Sequence, residues 1–336
     1  MYSHHSHSGD YVAHGVDPLE DIIAEVKRRK FHTWCLTEHM PRLDADLLYP
    51  EEITGAMRAE EDLKTLDKKF EAYMVHAKKI KSREDSSDAD AGVKILIGFE
   101  IEGCDETHLE YANELLSRNS EVLQYMVGSV HHVQNIPIDF DQQSWDRALQ
   151  ASGNNVRQLL FDYFSVQKKM LEVTQPLVVG HFDLIRLYMR GDLRVDLESG
   201  QVLAEGGTFV RDIGSLMTQW DDVKELIVEN LQYVVSYGGV VEINTAGLRK
   251  GLVDPFPHRD VVELAKVVAP TIKYVTSDDA HGISQVGVCY DKLLNYIENV
   301  ILLKQIAYLE ENGKGEVTVR DISMEEVKKS EFWTIK

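Results

Sequence analysis

The amino-acid sequence predicts an α/β protein in which βα units surround a parallel sheet. Two observations support this class: seven short apolar or β-branched runs recur along the 336 residues, and an amphipathic stretch follows each of them. The composition agrees with a folded domain, because 43% of the residues are hydrophobic, 27% are charged, and 22 glycines stand against 8 prolines. Disordered and collagen-like classes are therefore excluded.

The predicted strands are the apolar or β-branched runs at 1–5, 33–37, 93–99, 124–130, 177–180, 239–243 and 272–276. The predicted helices are the amphipathic stretches at 19–28, 51–81, 108–116, 155–173, 222–237, 259–268 and 287–309. In the helix at 222–237, five apolar residues lie three or four positions apart, which predicts one apolar stripe that faces a sheet.

We expect a single domain over 1–336 with three additions to its βα units. The polar segment 82–92 reads SREDSSDADAG and predicts a loop insertion. The segment 187–219 contains glycines at 191, 200, 206 and 207 without clear periodicity and predicts an irregular insertion. The segment 284–336 predicts a C-terminal helical extension.

Charge, apolar runs and cysteine content indicate which partners and which compartment to expect. Lys and Arg number 36 and Asp and Glu number 56, so the formal net charge is −20 and a nucleic-acid partner is not expected. No apolar run approaches the roughly 20 residues of a transmembrane helix, and the first residues lack the pattern of a signal peptide, so we expect no membrane association. Three cysteines without a close pair suit a reducing compartment, which predicts a cytoplasmic protein.

Side chains that can bind metal follow the carboxyl ends of the predicted strands. These candidates are His5, His7, His14, His39, Glu100, His131, His181, Asp279 and His281. A single histidine after a strand is more often a capping or core residue, but seven of the 13 histidines occupy such positions. Because the carboxyl ends of parallel barrel strands share one face, we expect these side chains to meet at one mouth.

The chemistry of this set indicates the metal. Imidazole and carboxylate groups without thiolate suit Zn²⁺, Mn²⁺ or Fe²⁺, all of which accept such ligands. Nine candidate ligands match two or three ions with about three or four protein ligands each. His4 and His132 each neighbour a candidate ligand, and alternation along a strand would point their side chains the other way.

Taken in chain order, these motifs resemble those of the polymerase and histidinol phosphatase (PHP) family of metal-dependent phosphoesterases. The residues that carry the resemblance are His5-x-His7, Thr37-Glu38-His39, Gly98-Phe99-Glu100, Ser129-Val130-His131, Gly180-His181-x-Asp183 and Asp279-x-His281. The run at 242–250, together with 180–186, is similar to the histidinol-phosphate phosphatase branch, and the whole chain is similar to its fungal members.

The resemblance implies a distorted (β/α)7 barrel with a trinuclear metal site. It implies hydrolysis of L-histidinol phosphate to L-histidinol and phosphate, a step of histidine biosynthesis, by attack of a metal-bridging hydroxide. It also implies how the ions are shared: one takes His5, His7, Glu100 and Asp279, a second shares Glu100 and takes His131 and His181, and a third takes His14, His39 and His281. His14 departs from the family spacing by about one residue, so two ions are the alternative.

The substrate itself predicts further residues. Arg186 and Arg249 are the candidates for binding phosphate, because a guanidinium group can donate to two phosphate oxygens at once. The cationic amine of histidinol calls for an acidic partner, for which Glu102 is the candidate, with Asp183 or Glu38 as alternatives that could equally support the metal-binding histidines.

Other functions stay open at this point. The nearest are a PHP-type phosphoesterase with another small phosphomonoester substrate and a non-catalytic metal-binding barrel. An amidohydrolase commonly bridges its ions with a modified lysine, whereas this chain offers Glu100. A nuclease would need a basic groove, which a chain at −20 does not indicate. The long helices at 51–81 and 287–309 could mediate formation of a homo-oligomer.

Overall fold

The computed structural model describes residues 1–55, 59–87 and 92–335. Its central feature is a parallel sheet of seven strands, which lie side by side in chain order. We number them β1 (Tyr2–Ser3), β2 (Thr33–Leu36), β3 (Lys94–Glu102), β4 (Tyr125–Ser129), β5 (Val178–Val179), β6 (Val240–Asn244) and β7 (Lys273–Ser277). All seven predicted strands are therefore present.

The first and last strands approach each other, so the sheet nearly closes into a barrel. The backbone N–H of His4 donates to the carbonyl of Thr276 over 3.2 Å, and Ser6 forms a parallel bridge with Ala280. The predicted (β/α)7 barrel is thus confirmed as the fold class. One cluster of buried side chains fills its interior, and another packs the strands against the surrounding helices.

The helices are α1 (Leu19–Arg28), α2 (Ala59–Asp85), α3 (Glu106–Arg118), α4 (Gln142–Ala151), α5 (Val156–Thr174), α6 (Asp221–Tyr237), α7 (Ala246–Arg249), α8 (Arg259–Val268), α9 (Tyr290–Asn295) and α10 (Met324–Lys328). Local sequence signals set several of their ends. Asp105 and Asn155 accept hydrogen bonds from the N–H groups of His108 and Gln158 and so cap α3 and α5. Gly238 ends α6 with a φ of 81°, which favours glycine.

Shorter elements complete the described chain. Antiparallel strand pairs are His132–Val133 with Ile136–Pro137, and Gln305–Glu311 with Val317–Ser323. Strand Arg194–Val195 lies between Val202–Leu203 and Thr208–Phe209. Single helical turns of the 3₁₀ type are Ala45–Leu47, Pro50–Glu52, Leu184–Arg186, Val210–Asp212, Leu216–Thr218, Ile283–Gln285 and Glu331–Thr334, and Tyr296–Val300 is a π turn.

The segment 284–336, predicted as a C-terminal helical extension, contains α9 and α10 but also an antiparallel hairpin. Beyond the π turn Tyr296–Val300, Leu302 takes a positive φ of 52° and the helix cannot continue. Residues Gln305–Glu311 and Val317–Ser323 instead form the C-terminal hairpin, whose turn contains Gly313 and Gly315. The predicted helix 287–309 failed because a short apolar run does not by itself distinguish helix from strand.

Other predictions differ in detail. The helix predicted from 51 begins at Ala59, after the turn Pro50–Glu52, and it continues to Asp85 within the predicted loop 82–92. Residues 56–58 and 88–91, on which these two predictions partly fall, lie outside the described residues. The insertion 187–219 contains a small three-stranded sheet, and α4 was not predicted. In the described part of the chain, no helix combines the length and the apolarity that crossing a bilayer requires.

Candidate metal centre

The candidate ligands lie at the carboxyl ends of the barrel strands, around a cavity of about 380 Å³. His5 and His7 follow β1, His39 follows β2, Glu100 lies within β3, and the others follow β4, β5 and β7. The walls of the cavity include His14, His39, Glu100, His131, His181, Asp279 and His281. His5 and His7 are buried beside them, at 0% and 1% exposure.

Glu100 is at the centre of this arrangement. Its Oε2 atom lies 3.2 Å from Nε2 of His5 and 3.3 Å from Nε2 of His7. Its Oε1 atom lies 2.9 Å from Nε2 of His181 and 3.3 Å from Nε2 of His131. The two oxygens of one carboxylate thus face two different pairs of imidazoles, which is the arrangement of a ligand shared between neighbouring ions.

Asp279 and His281 complete the arrangement from the end of β7. Oδ1 of Asp279 lies 3.4 Å from Nε2 of His7 and 3.9 Å from Nε2 of His5. The Nδ1 atom of His281 donates a hydrogen bond to the carbonyl of Asp279 over 2.9 Å, which leaves Nε2 free as a ligand. Four groups of the candidate ligands have ligand atoms that all lie within 4.8 Å of one another: His5, His7 and Glu100; His5, His181 and Asp279; Glu100, His131 and His181; His7, His39 and His281.

These residues fit divalent cations. The Nε2 atoms of His5 and His7 lie 3.0 Å apart, both beside the Glu100 carboxylate, so either a proton or a cation must separate their lone pairs. The buried Nδ1 atoms of His7 and His181 have no hydrogen-bond partner among the described residues, whereas Nδ1 of His39 lies 2.9 Å from Oε1 of Glu102. Converging imidazole nitrogens and carboxylate oxygens are the ligands that Zn²⁺, Fe²⁺ and Mn²⁺ accept.

The electrostatics of the group favour a bound positive charge. Burial opposes ionisation of Glu100, but the imidazoles of His5, His39 and His131 outweigh it and hold the pKa of the carboxyl well below its usual range. The same holds for Asp279. Burial opposes ionisation of its carboxyl group, but His5 and His7 outweigh this effect and hold the pKa well below its ordinary value. Burial lowers the pKa of His39 to about 4, so its ring is neutral and free to coordinate at neutral pH.

A shell of acidic groups orients the imidazoles from behind. Nδ1 of His131 lies 3.0 Å from Oε2 of Glu102, and Nδ1 of His5 lies 3.2 Å from Oε2 of Glu242. Glu242 is fully buried and also accepts the backbone N–H of His181 over 2.6 Å. Sequence reasoning missed Glu242 because it lies inside β6, where an acid within an otherwise apolar run was the only signal.

We expect Glu242→Gln to lower the affinity for metal by roughly 10- to 100-fold, because an amide supports the His5 ring less strongly than a carboxylate does. Titration of metal-free protein with Zn²⁺ measures this. Asp162→Asn is a suitable control, since Asp162 accepts hydrogen bonds from Gln134 and Ser152 and has no contact with the ligands. Equal affinities of Glu242→Gln and the unaltered chain would contradict the orienting role.

His14 reaches the cavity but is not part of the four groups. Its ring centroid lies 4.6 Å from that of His281, while its Nδ1 atom lies 3.2 Å from Oε1 of Glu51 and its side chain is 40% exposed. Metal coordination by His14 therefore stays a prediction, and in this arrangement His7 takes its place beside His39 and His281.

Two residues that were predicted to bind the substrate, Arg186 and Glu102, do not line the cavity. Arg186 is paired with Asp183 over 2.7 Å, donates to the carbonyl of Pro255 over 2.8 Å and lines a different pocket, so phosphate binding by Arg186 stays a prediction that this arrangement does not support. Glu102 is completely buried and engages Arg42 over 2.8 Å in addition to His131, so no oxygen faces the cavity for an amine.

Arg249 is placed as predicted, on the wall of the cavity. Its Nη1 and Nη2 atoms donate to the carbonyls of Asp278 and Asp279 over 2.8 and 3.0 Å. These two bonds fix the guanidinium beside Asp279 and leave other N–H groups to donate into the cavity.

Comparison with known proteins gives consistent results. The sequence profile of the PHP domain matches residues 3–246. A Saccharomyces cerevisiae protein named histidinol-phosphatase is 44% identical over 335 residues, covering 99% of each chain. A Schizosaccharomyces pombe protein named "Probable histidinol-phosphatase" is 35% identical over 317 residues, covering 94% of this chain and 92% of its own.

Two solved structures share the fold. A histidinol phosphate phosphatase from Lactococcus lactis, complexed with zinc, L-histidinol and phosphate, gives a TM-score of 0.56 at 14% identity, covering 94% of this chain and 98% of its own. A Listeria monocytogenes structure provisionally assigned as a histidinol phosphatase gives a TM-score of 0.65 at 21% identity, covering 87% and 99%. At such identities the likeness concerns the fold.

Proposed function

The chain belongs to the PHP domain family, and from this membership we propose that it hydrolyses L-histidinol phosphate to L-histidinol and phosphate, using divalent metal ions. The single observation that carries the proposal is the sharing of Glu100 between two pairs of imidazoles at one cavity. The reaction is a step of histidine biosynthesis, and the names and extent of the yeast relatives support the same substrate.

Two or three ions of Zn²⁺, Fe²⁺ or Mn²⁺ would be held by the four ligand groups. Fewer than four can be filled independently, because His5, His7, Glu100 and His181 each belong to two groups. Bound ions supply Lewis acids for the phosphoryl group and lower the pKa of coordinated water from about 15.7 towards about 7. The structure of the Lactococcus lactis enzyme with zinc supports this choice of chemistry.

The chain's own side chains bind and orient the phosphate. Arg249 presents its guanidinium beside Asp279, and a guanidinium matches the geometry of two phosphate oxygens. Lys250 also lines the cavity and adds a second cation. Because imidazoles outnumber carboxylates among the ligands, the loaded centre keeps a positive surplus that attracts a phosphate dianion in spite of the acidic surface.

The remaining walls suit the histidinol portion of the substrate. Apart from Glu100 and Asp279, the carboxylates that line the cavity are Glu51 and Asp139. Glu51 is engaged by His14, whereas Asp139 accepts a hydrogen bond from the Tyr49 hydroxyl over 3.1 Å and keeps a second oxygen for a cationic amine. Asp139 thus replaces Glu102 as the candidate partner of the amine. The aromatic rings of Phe140 and Tyr188 offer surfaces for the imidazole.

The direct test is a steady-state assay of metal-loaded protein on several phosphomonoesters, with the ions per chain counted in the same sample. We expect histidinol phosphate to exceed other monoesters in kcat/KM by at least about 100-fold, or about 2.7 kcal/mol at about 1.4 kcal/mol per decade. Preference for another monoester would contradict the substrate and leave the metal-dependent chemistry standing. Ions without hydrolysis of any monoester would instead support a non-catalytic barrel.

We also propose the cytoplasm as its compartment. Cys35, Cys104 and Cys289 are free thiols in the structure, as expected where disulfides are reduced. Formation of a homo-oligomer stays a prediction.

A further inference from the structure

The C-terminal hairpin, residues Gln305–Glu311 and Val317–Ser323, covers the end of the barrel opposite to the metal ligands. Ala307 and Leu309 are buried at 1% and 0% exposure and join an interior cluster whose other members come from the strands. Three of these, Tyr125, Val178 and Val240, are the first residues of β4, β5 and β6. The hairpin therefore plugs the amino-terminal end of the barrel, and it lies outside the residues 3–246 that match the family profile.

One histidine, His4, connects this plug to the segment after β1 that contains the candidate ligands His5 and His7. The backbone N–H of Leu309 donates to Nε2 of His4 over 3.0 Å. Since Nε2 accepts, the ring proton is on Nδ1, which donates to the carbonyl of Thr276 over 2.9 Å. The His4 ring is completely buried, so both bonds are shielded from water.

The backbone of His4 is held as firmly as its ring. Its N–H donates to Thr276, and its carbonyl accepts the hydroxyl of Tyr125 over 2.9 Å. This matters because β1 comprises only Tyr2 and Ser3, yet the residues that follow it include His5 and His7. Because a strand of two residues has a short ladder, this segment is also held by the backbone bonds of Ser6 and His7 to Thr37 and Ala280 and by the contacts of His4.

We propose that His4 is a positioning residue through which the C-terminal hairpin holds His5 and His7 in place and thereby retains the bound ions. The proposal rests on the proposed metal centre but not on the identity of the substrate. Its consequence is that a change on the plug side of His4 releases metal, although no metal ligand is altered.

The test uses two variants that each keep one of the two ring contacts. In His4→Gln the amide oxygen takes the position of Nε2 and accepts from Leu309, whereas in His4→Asn the amide nitrogen takes the position of Nδ1 and donates only to Thr276. Full-length protein is loaded with Zn²⁺, freed of excess metal and mixed with a colorimetric chelator. We expect His4→Asn to release Zn²⁺ about tenfold faster than the unaltered chain, and His4→Gln within about threefold of it.

The control is Arg320→Ala, which removes an exposed pair with Glu310 in the same hairpin and should not change release. Unaltered release from His4→Asn, or equal acceleration in both His4 variants, would overturn the proposal, even if both variants melt at lower temperature. If His4→Asn does not fold, Leu309→Pro decides, because proline lacks the N–H that His4 accepts: faster release supports the plug, and unchanged release refutes it. Release is measured without substrate, so a chain that binds Zn²⁺ but lacks the phosphatase activity would overturn the proposed function alone.

Discussion

Replacing Glu100 with glutamine is expected to abolish hydrolysis of histidinol phosphate and to cost the protein bound metal. The carboxylate faces His5, His7, His131 and His181 at 2.9–3.3 Å, so one substitution weakens the sites on both sides of it. An amide is neutral, and its NH₂ group would point a donor at a nitrogen that should coordinate an ion. Loss of an outer-shell partner costs roughly 10- to 100-fold, so we expect a larger loss in kcat from this shared ligand.

The experiment compares Glu100→Gln with the unaltered chain for kcat and for ions per chain. Glu84→Gln is the matched control, because Glu84 is also a buried carboxylate, 3% exposed and paired with Lys27 over 2.7 Å, but it lies on α2. Circular dichroism shows whether each variant is folded. Full turnover by folded Glu100→Gln would exclude a bridging role for this carboxylate.

Much of the candidate site was predictable because its ligands obey one local rule. Each follows, or lies near the carboxyl end of, a strand that the sequence reveals as an apolar run, and parallel strands bring their carboxyl ends to one edge. His39, His131 and His181 could thus be placed together without knowing any contact between distant parts of the chain. The seven strands were predictable for the same reason, since their apolar character is a property of consecutive residues.

Side-chain direction within the loops was not predictable. Arg186 follows β5, a position suited to a phosphate-binding arginine, but it lies in a 3₁₀ turn that begins after Asp183, and its guanidinium pairs with the Asp183 carboxylate. Glu102 shares the strand face of Glu100 by alternation. Its carboxylate nevertheless pairs with Arg42, which comes from an irregular segment without any pattern. The contact of Arg186 joins residues only three positions apart but follows no recognisable pattern, whereas Arg42 lies far from Glu102 in the sequence.

The C-terminal hairpin was not predicted, and the reason is different. The residues 305–311 contain apolar positions that suit a short helix as well as a strand, and only pairing with 317–323 and burial against the barrel interior select the strand. The hydrogen bond from Leu309 of the hairpin to His4 spans 305 positions. Tertiary packing here overrides a local pattern.

Removal of the metal is expected to have the largest effect of all. Dialysis against a strong chelator should reduce hydrolysis of histidinol phosphate to the detection limit, because Arg249 and Asp139 can bind the substrate but supply no nucleophile. Activity should return on addition of Zn²⁺, Mn²⁺ or Fe²⁺, in proportion to the ions regained, up to two or three per chain. The control is addition of the same metals to chelator-treated Glu100→Gln, which should restore little activity.

The dependence of activity on the number of bound ions distinguishes a site of two ions from a site of three. The groups around Glu100 share ligands, whereas His39 and His281 belong only to the group that they form with His7. If two ions suffice, activity will reach its plateau before the group at His39 fills. If the third ion contributes, His281→Ala will keep two ions and lose most of its kcat. Metal-free protein that stays fully active in chelator would contradict metal-dependent hydrolysis at this cavity.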